Sequence, residues 1–116
     1  MNALIILNDP AYGTERTYNG LRLANALARS GDDHVRVFLI GDGVTAAMGG
    51  QNTPNGYYNL GTMIKALVRR GGEVATCGTC IDARGIAEGS LVEGAARGSM
   101  DQLAAWTREA DKVIVF

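Results

Sequence analysis

Two cysteines separated by two residues have the clearest capacity for chemistry in this sequence. Cys77 and Cys80 form a CxxC motif and are the only cysteines of the 116-residue chain. A thiolate is the nucleophile in disulfide exchange and in persulfide transfer. Residues 1–8 are predicted to be a strand, because they lack the positive region and cleavage site of a secretion signal. A CxxC pair in such a chain indicates redox, sulfur or metal chemistry in a reducing cytoplasm.

The motif is predicted to lie where a third strand, residues 73–76, ends and a helical segment begins. Amides at a helix start, with the positive end of its dipole, favour a thiolate over a thiol. Arg84 is close enough through a turn to add positive charge. We expect Asp82 to pair with Arg84, either shaping the field at the thiolate or forming a surface ion pair of about 0–1 kcal/mol. The alternative for the motif is two buried, inert cysteines, since free cysteine is among the most buried residue types.

A metal site within one chain is not predicted. One CxxC supplies two ligands, whereas a closed structural zinc site needs four. His34, the single histidine, lies in a polar turn at the other end of a strand. A zinc ion or a four-iron, four-sulfur cluster would therefore need cysteines from another subunit. We predict neither a metal nor a bound organic cofactor.

A thioredoxin-like oxidoreductase is the sharper alternative, because CxxC in an α/β chain is typical of that class. The position of the motif argues against it, since thioredoxins carry their CxxC after an early strand. The cis-proline that faces the thioredoxin disulfide comes from a later strand, yet Pro10 and Pro54, the only prolines, both precede Cys77. A dithiol redox function without the thioredoxin fold stays open.

Strands and helices alternate along the chain and must position the motif. Continuous apolar runs predict strands at 4–7, 35–40, 73–76 and 112–116, the last of them buried, with a weaker indication within 92–98. Apolar periodicity predicts helices at 15–29, 57–70 and 99–110, and one helical turn at 44–48. Such alternation indicates an α/β fold with a parallel sheet and helices on both faces. Trp106, in the last helix, is expected either in the core or at a subunit interface, and the interface is preferred.

Functional residues of such sheets gather beyond the carboxyl ends of the strands. The loops that qualify here are 8–13, 41–44, 77–84 and 94–99. Asn8, Tyr12 and Asp42 are therefore candidate pocket residues beside the cysteines. Tyr12 could donate a hydrogen bond to a persulfide, or serve only the turn and its packing. The turn that contains Asp42 is predicted to be a plain strand-to-helix turn and not a phosphate-binding turn, because an aspartate would repel phosphate.

Composition excludes several classes of protein. The 11 basic and 12 acidic residues give a net charge of −1 without a basic run, so we expect no nucleic-acid partner. No apolar run approaches the roughly 20 residues that span a bilayer, so we expect no membrane partner. The length, with 47% hydrophobic and 20% charged residues, predicts a single globular domain over residues 1–116.

Several segments share residues with one known protein family. They are 11–15, 21–24, 26–27, 37–39, 44–46, 50–51, 56–57, 105–107 and 110–113. The most specific segment is 77–86, which runs Cys-Gly-Thr-Cys-Ile-Asp-Ala-Arg-Gly-Ile. Over essentially its whole length, the chain resembles the DsrE/DsrF-like sulfur-relay family, and within it the YchN-like branch.

The resemblance implies a three-layer α/β/α sandwich with a five-stranded parallel sheet, and a homo-oligomer that is a trimer or a hexamer. Counted back from Arg84, the family's sulfur-carrying cysteine matches Cys77. Cys77 would then take sulfur from a donor protein as a persulfide and pass it to a cysteine of an acceptor protein. Cys80 is typical of the YchN-like branch, and would either resolve a persulfide as an internal disulfide or serve packing.

Three functions follow from the sequence, and the preferred one is a cytoplasmic sulfur relay. The second is a dithiol redox protein that cycles between the Cys77–Cys80 dithiol and its disulfide. The third is a homo-oligomeric binding or scaffold protein with structural cysteines. Sulfur relay should survive the Cys80→Ser substitution, whereas disulfide cycling cannot. A scaffold protein with structural cysteines should have two unreactive thiols.

Overall fold

The computed structural model describes residues 1–54 and 58–116, which build a five-stranded parallel sheet with helices on both faces. The strands are β1 (Asn2–Leu7), β2 (His34–Leu39), β3 (Glu73–Cys77), β4 (Ala95–Gly98) and β5 (Lys112–Val115). Their order across the sheet is β4-β3-β2-β1-β5, and each neighbouring pair is parallel. The predicted α/β/α fold class is confirmed, including the strand within 92–98 that the sequence indicated only weakly.

Four α-helices and two short 3-10 segments connect the strands in the described residues. The helices are α1 (Arg16–Arg29), α2 (Leu60–Arg69), α3 (Gly78–Ala83) and α4 (Met100–Glu109), and the 3-10 segments are Gly41–Ala47 and Glu88–Ser90. The predicted helix over 57–70 begins at Leu60, because the side chain of Asn59 caps it by accepting from the Thr62 amide. Its first expected residue, Tyr57, lies outside the described residues, as does Gly56 of the family-like segments. No described helix has both the length and the apolar character needed to cross a bilayer.

The two faces of the sheet are covered unequally. Helices α1 and α2 pack against one another, and α1 lies on β1 and β2, where the side chain of Leu7 approaches Gly20. Phe38 alternates with its strand neighbours and points to the opposite face. There its ring meets Trp106 of α4 edge to face, with centroids 6.3 Å apart. Trp106 is 7% exposed and packs within the chain, so of the two expected placements the structure supports the core and not the preferred subunit interface.

The last strand is exposed, contrary to the prediction of a buried one. Val113 and Val115 of β5 are 43% and 62% exposed. Their register with Leu4 and Ile6 of β1 places them on the face that carries α4. Because β5 is an edge strand and a single ten-residue helix packs on this face, the outer valines remain uncovered.

A charged cluster joins the α4 face to the sheet at the end opposite the cysteines. The guanidinium of Arg36 donates to Glu73 at 2.8 Å, pairs with Glu109 and lies 5.2 Å from the Trp106 ring centroid. His34 contributes a second contact to the Glu73 carboxylate at 2.6 Å. The hydrogen bond from Arg36 outweighs partial burial and, with His34, lowers the pKa of Glu73.

We expect Glu73→Gln to be less stable than wild type at neutral pH and to approach the stability of wild type in acid. A carboxylate whose pKa is lowered by folding stabilises the fold above its unfolded pKa, and this contribution disappears as pH falls through the folded pKa. Glu73 is half exposed, so the contribution at neutral pH is under about 1 kcal/mol. Thermal melts should show that Glu73→Gln has a lower melting temperature than wild type at pH 7, and that this difference shrinks below about pH 4. The exposed Glu93→Gln is the control, and a Glu73→Gln deficit that is independent of pH would contradict the prediction.

Candidate functional site

Cys77 is the last residue of β3 and directly precedes α3. It is 6% exposed and lines a small pocket of about 210 Å³. The residues that line this pocket are Cys77, Gly78, Thr79, Arg97, Gly98, Ser99 and Met100. The pocket therefore joins the β3–α3 junction to the β4–α4 junction.

Close packing in the strand beside Cys77 requires a glycine at position 98. The register of β3 and β4 pairs Cys77 with Gly98. A Cβ on Gly98 would lie 3.0 Å from Ala75 Cβ and 2.8 Å from Gln102 Oε1. The local sequence thus keeps the neighbouring strand position free of a side chain. Ser99 then caps α4 by accepting from the Gln102 amide, as its capping-box spacing suggests.

The surroundings of Cys77 favour its thiolate. Burial alone would raise the pKa of the Cys77 thiol, but hydrogen bonds from the side chains of Cys80 and Thr79 and from their amides lower it below the ordinary value. The Thr79 hydroxyl oxygen lies 3.4 Å from Cys77 Sγ. The groups at the start of α3 therefore favour the thiolate, and the Thr79 hydroxyl is the one with hydrogen-bond geometry to Cys77 Sγ among the described residues.

Cys80 lies in α3, half-buried, with its sulfur next to Cys77. The backbone amide of Gly41, at the start of the 3-10 segment Gly41–Ala47, donates to Cys80 Sγ at 3.2 Å. Burial and the hydrogen bond to Cys77 raise the pKa of Cys80, against the opposing effects of Gly41 and Arg84. The two sulfurs therefore have distinct roles in the reduced protein, in which Cys77 ionises first and Cys80 keeps its proton.

The expected pair between Asp82 and Arg84 is wrong. Arg84 instead donates to Asp42 Oδ1 at 2.8 and 3.1 Å and to the Cys80 carbonyl at 3.1 Å. Asp82 accepts two hydrogen bonds from Arg97, at 2.8 and 2.9 Å. The fold brings partners from β4 and from the loop after β2 closer to each charge than the residue two positions away.

Arg97 is the site residue that sequence analysis missed. Its guanidinium packs so closely on the first residue of α3 that a Cβ at Gly78 would lie 2.7 Å from it. Its pKa is raised, first by the hydrogen bond to Asp82, and a negative charge on Cys77 adds to the rise. Its sequence signal was weak, since Arg97 stands in a segment of ambiguous secondary structure, within the candidate loop 94–99, and has no motif around it.

The other expected pocket residues divide between two places. Asp42 lies at the cysteine end of the sheet through its ion pair with Arg84. Asn8 instead donates from its side chain to the Phe116 carbonyl at 3.0 Å. The hydroxyl of Tyr12 donates to Gln51 Oε1 at 2.6 Å. Tyr12 is therefore engaged with the loop before α2, and the hydrogen bond to a persulfide on Cys77 has no support in this geometry.

The arrangement suits thiol chemistry. Within residues 1–54 and 58–116, no three histidine, cysteine, aspartate or glutamate side chains come together as metal ligands. Both cysteines are free thiols. A nucleophilic sulfur with a proton-bearing thiol beside it, in a pocket open to small reagents, can accept a sulfur atom or form a disulfide.

Comparison with known proteins gives matches over the whole chain. The model of the DsrE/DsrF-like family matches residues 1–116. Protein YchN of Escherichia coli K12 is 40% identical over 114 residues, which are 97% of each chain. Protein MK0008 of Methanopyrus kandleri is 37% identical over 112 residues, 97% of this chain and 91% of its own.

Solved structures show the same architecture. The crystal structure of YchN from E. coli superposes with a TM-score of 0.90 at 39% identity and covers all of both chains. The structure of MTH1491 from Methanobacterium thermoautotrophicum has a TM-score of 0.77 at 15% identity, covering 99% of this chain and 98% of its own. The second likeness concerns the fold alone.

Proposed function

Since this chain belongs to the DsrE/DsrF-like family, we propose that it is a sulfur-relay protein in which Cys77 carries sulfur as a persulfide. The Cys77 thiolate attacks the outer sulfur of a donor protein's persulfide, and the donor's thiolate leaves. A cysteine of an acceptor protein then attacks the outer sulfur on Cys77 and regenerates the Cys77 thiolate. The observation that carries this proposal is the pocket-bound Cys77, whose thiolate accepts hydrogen bonds from Cys80 and Thr79.

The dimensions of the pocket support a bound sulfur atom. Its volume of about 210 Å³ is several times the roughly 30 Å³ that one water molecule occupies in the liquid. The outer sulfur of a persulfide on Cys77 would extend toward Ser99 and Met100 at the start of α4. Met100 is 62% exposed, so a partner's cysteine can approach from that side.

The proposal includes a homo-oligomer, a trimer or a hexamer, in the reducing cytoplasm. The exposed Val113 and Val115 support an interface on the α4 face, because exposed apolar side chains on an edge strand favour association. The two free thiols support a reducing compartment. The sulfur donor and the sulfur acceptor are proposed to be proteins that each present a reactive cysteine.

Intact mass after brief incubation with polysulfide tests the carrier role. Wild type should gain about 32 Da, the mass of one sulfur atom, and lose it again with dithiothreitol. Cys77→Ser should gain nothing, because the nucleophile is absent. Cys80→Ser is the matched control, with the same exchange of sulfur for oxygen, and should still gain the sulfur. A gain that survives in Cys77→Ser, or no gain in wild type, would overturn the proposal.

A dithiol redox protein is the second candidate, and the contact between Cys80 and Cys77 favours it. On this alternative, wild type passes directly to a species about 2 Da lighter, which both cysteines are needed to form. The absence of a persulfide even at the earliest times would support the redox function. A scaffold role with structural cysteines predicts that neither thiol is modified.

A further inference from the structure

Cys80 has polar partners that suit a reacting sulfur. The Gly41 amide donates to its Sγ at 3.2 Å, and Gly41 and the Arg84 guanidinium both oppose the rise in the pKa of Cys80 that burial and Cys77 cause. Arg84 is itself held by Asp42 and by the Cys80 carbonyl. An amide and a guanidinium both stabilise negative charge on sulfur. A cysteine present only for packing would need neither of them.

We propose that Cys80 gives the sulfur on Cys77 a second exit, in which it is released as hydrogen sulfide and a Cys77–Cys80 disulfide remains. This inference rests on the proposed persulfide of Cys77. It adds to the relay a reaction that removes the outer sulfur from Cys77 when no acceptor is bound.

The step is balanced without an external oxidant. The Cys80 thiolate attacks Cys77 Sγ, the inner sulfur of the persulfide, and a bond forms between the two cysteine sulfurs. The bond between Cys77 Sγ and the outer sulfur breaks, and its electron pair leaves with the outer sulfur as hydrosulfide. The proton that Cys80 loses can convert the hydrosulfide into hydrogen sulfide. The outer sulfur is reduced, the two cysteines are oxidised to a disulfide, and a dithiol reductant must later reopen it.

The placement of the two sulfurs favours attack on the inner atom. Cys77 directly precedes α3 and Cys80 lies three residues later, a spacing that makes two positions neighbours on a helix. The Cys80 side chain is close enough to Cys77 to lower the pKa of its thiol. Cys80 is not among the residues that line the pocket in front of Cys77. An outer sulfur held in that pocket would lie among the residues of the β3–α3 and β4–α4 junctions, whereas Cys80 lies outside the pocket and next to Cys77 along α3.

The test begins with protein loaded by polysulfide and quickly freed of excess reagent by gel filtration. Hydrogen sulfide and intact mass are then followed over time in the absence of reductant. Wild type should release one equivalent of sulfide while the species about 32 Da heavier becomes one about 2 Da lighter than the reduced protein. Cys80→Ser should keep the added sulfur and release sulfide at least on the order of tenfold more slowly.

The outcomes separate this inference from the relay itself. If wild type and Cys80→Ser hold the added sulfur equally long, the discharge is excluded and the relay stands. If wild type never takes up sulfur, the relay itself fails. If Cys80→Ser releases sulfide as fast as wild type, some other group discharges the persulfide, and the role of Cys80 is overturned.

Discussion

Cys80→Ala is expected to move the alkylation of Cys77 to higher pH and to slow it on the order of tenfold at pH 7. Burial raises the pKa of Cys77, and the hydrogen bond from the Cys80 side chain is the leading contact that lowers it. Hydrogen bonds to charged groups are worth roughly 1.5–3 kcal/mol, and about 1.4 kcal/mol is a factor of ten. Alkylation follows the thiolate fraction, so losing this donor leaves less reactive sulfur at a given pH.

Two further variants control this experiment, which measures the rate of iodoacetamide labelling between pH 5 and 10. Cys80→Ser keeps a hydrogen-bond donor at the same position and should stay near the wild-type profile. Thr79→Val removes the 3.4 Å hydroxyl contact and should shift the profile in the same direction as Cys80→Ala. Identical profiles for wild type and Cys80→Ala would show that Cys80 does not stabilise the thiolate.

Gly43→Ala is expected to destabilise the fold by about 3 kcal/mol, the upper part of the usual range for overpacking. A Cβ on Gly43 would lie 2.1 Å from the Leu7 carbonyl oxygen and 2.9 Å from its carbon. Both atoms belong to the backbone of β1, which is paired on both sides in the sheet, and neither can move away as the end of a side chain would. Differential scanning calorimetry should show a melting temperature lower by roughly 10–20 °C.

The Gly43→Ala substitution should also change the reactivity of the thiols. Gly43 shares its 3-10 segment with Gly41, whose amide holds Cys80, and with Asp42, which holds Arg84. Displacement of this segment should therefore change the labelling rate of Cys80 even below the melting temperature. Gly89→Ala is the matched control, because a Cβ there meets nothing within 4 Å and should alter stability by less than about 0.5 kcal/mol. Equal melting of Gly43→Ala and wild type would contradict the expectation.

The sequence was informative wherever one short segment contains its own structural signal. The apolar period of α2 predicted its buried side, which Leu60, Ile64 and Leu67 form. The helix predicted over 99–110 is confirmed as α4, which Ser99 caps by accepting from the Gln102 amide, a contact that needs only neighbouring residues. The CxxC motif was correctly placed at a strand end for the same reason, since β3 and α3 adjoin it in the chain.

The partners of charges could not be read from the chain. Asp82 and Arg84 are two residues apart, but each pairs with a residue from another segment, Arg97 and Asp42 respectively. Such pairs depend on which loops meet at the carboxyl edge of the sheet. Arg97 was missed because the register that sets β4 beside β3 is a property of the assembled sheet.

The sequence by itself determined the alternating α/β order and the identity of the thiol pair, because local periodicity and motif spacing encode them, and its resemblance to known proteins along the whole chain indicated the family. Only the tertiary structure decided that Trp106 is covered by the sheet and that β5 exposes Val113 and Val115. It also decided that Tyr12 turns to Gln51 while the Gly41 amide reaches Cys80. The physical reason is that burial and hydrogen-bond partners across the sheet edge depend on the packing of segments distant in the chain.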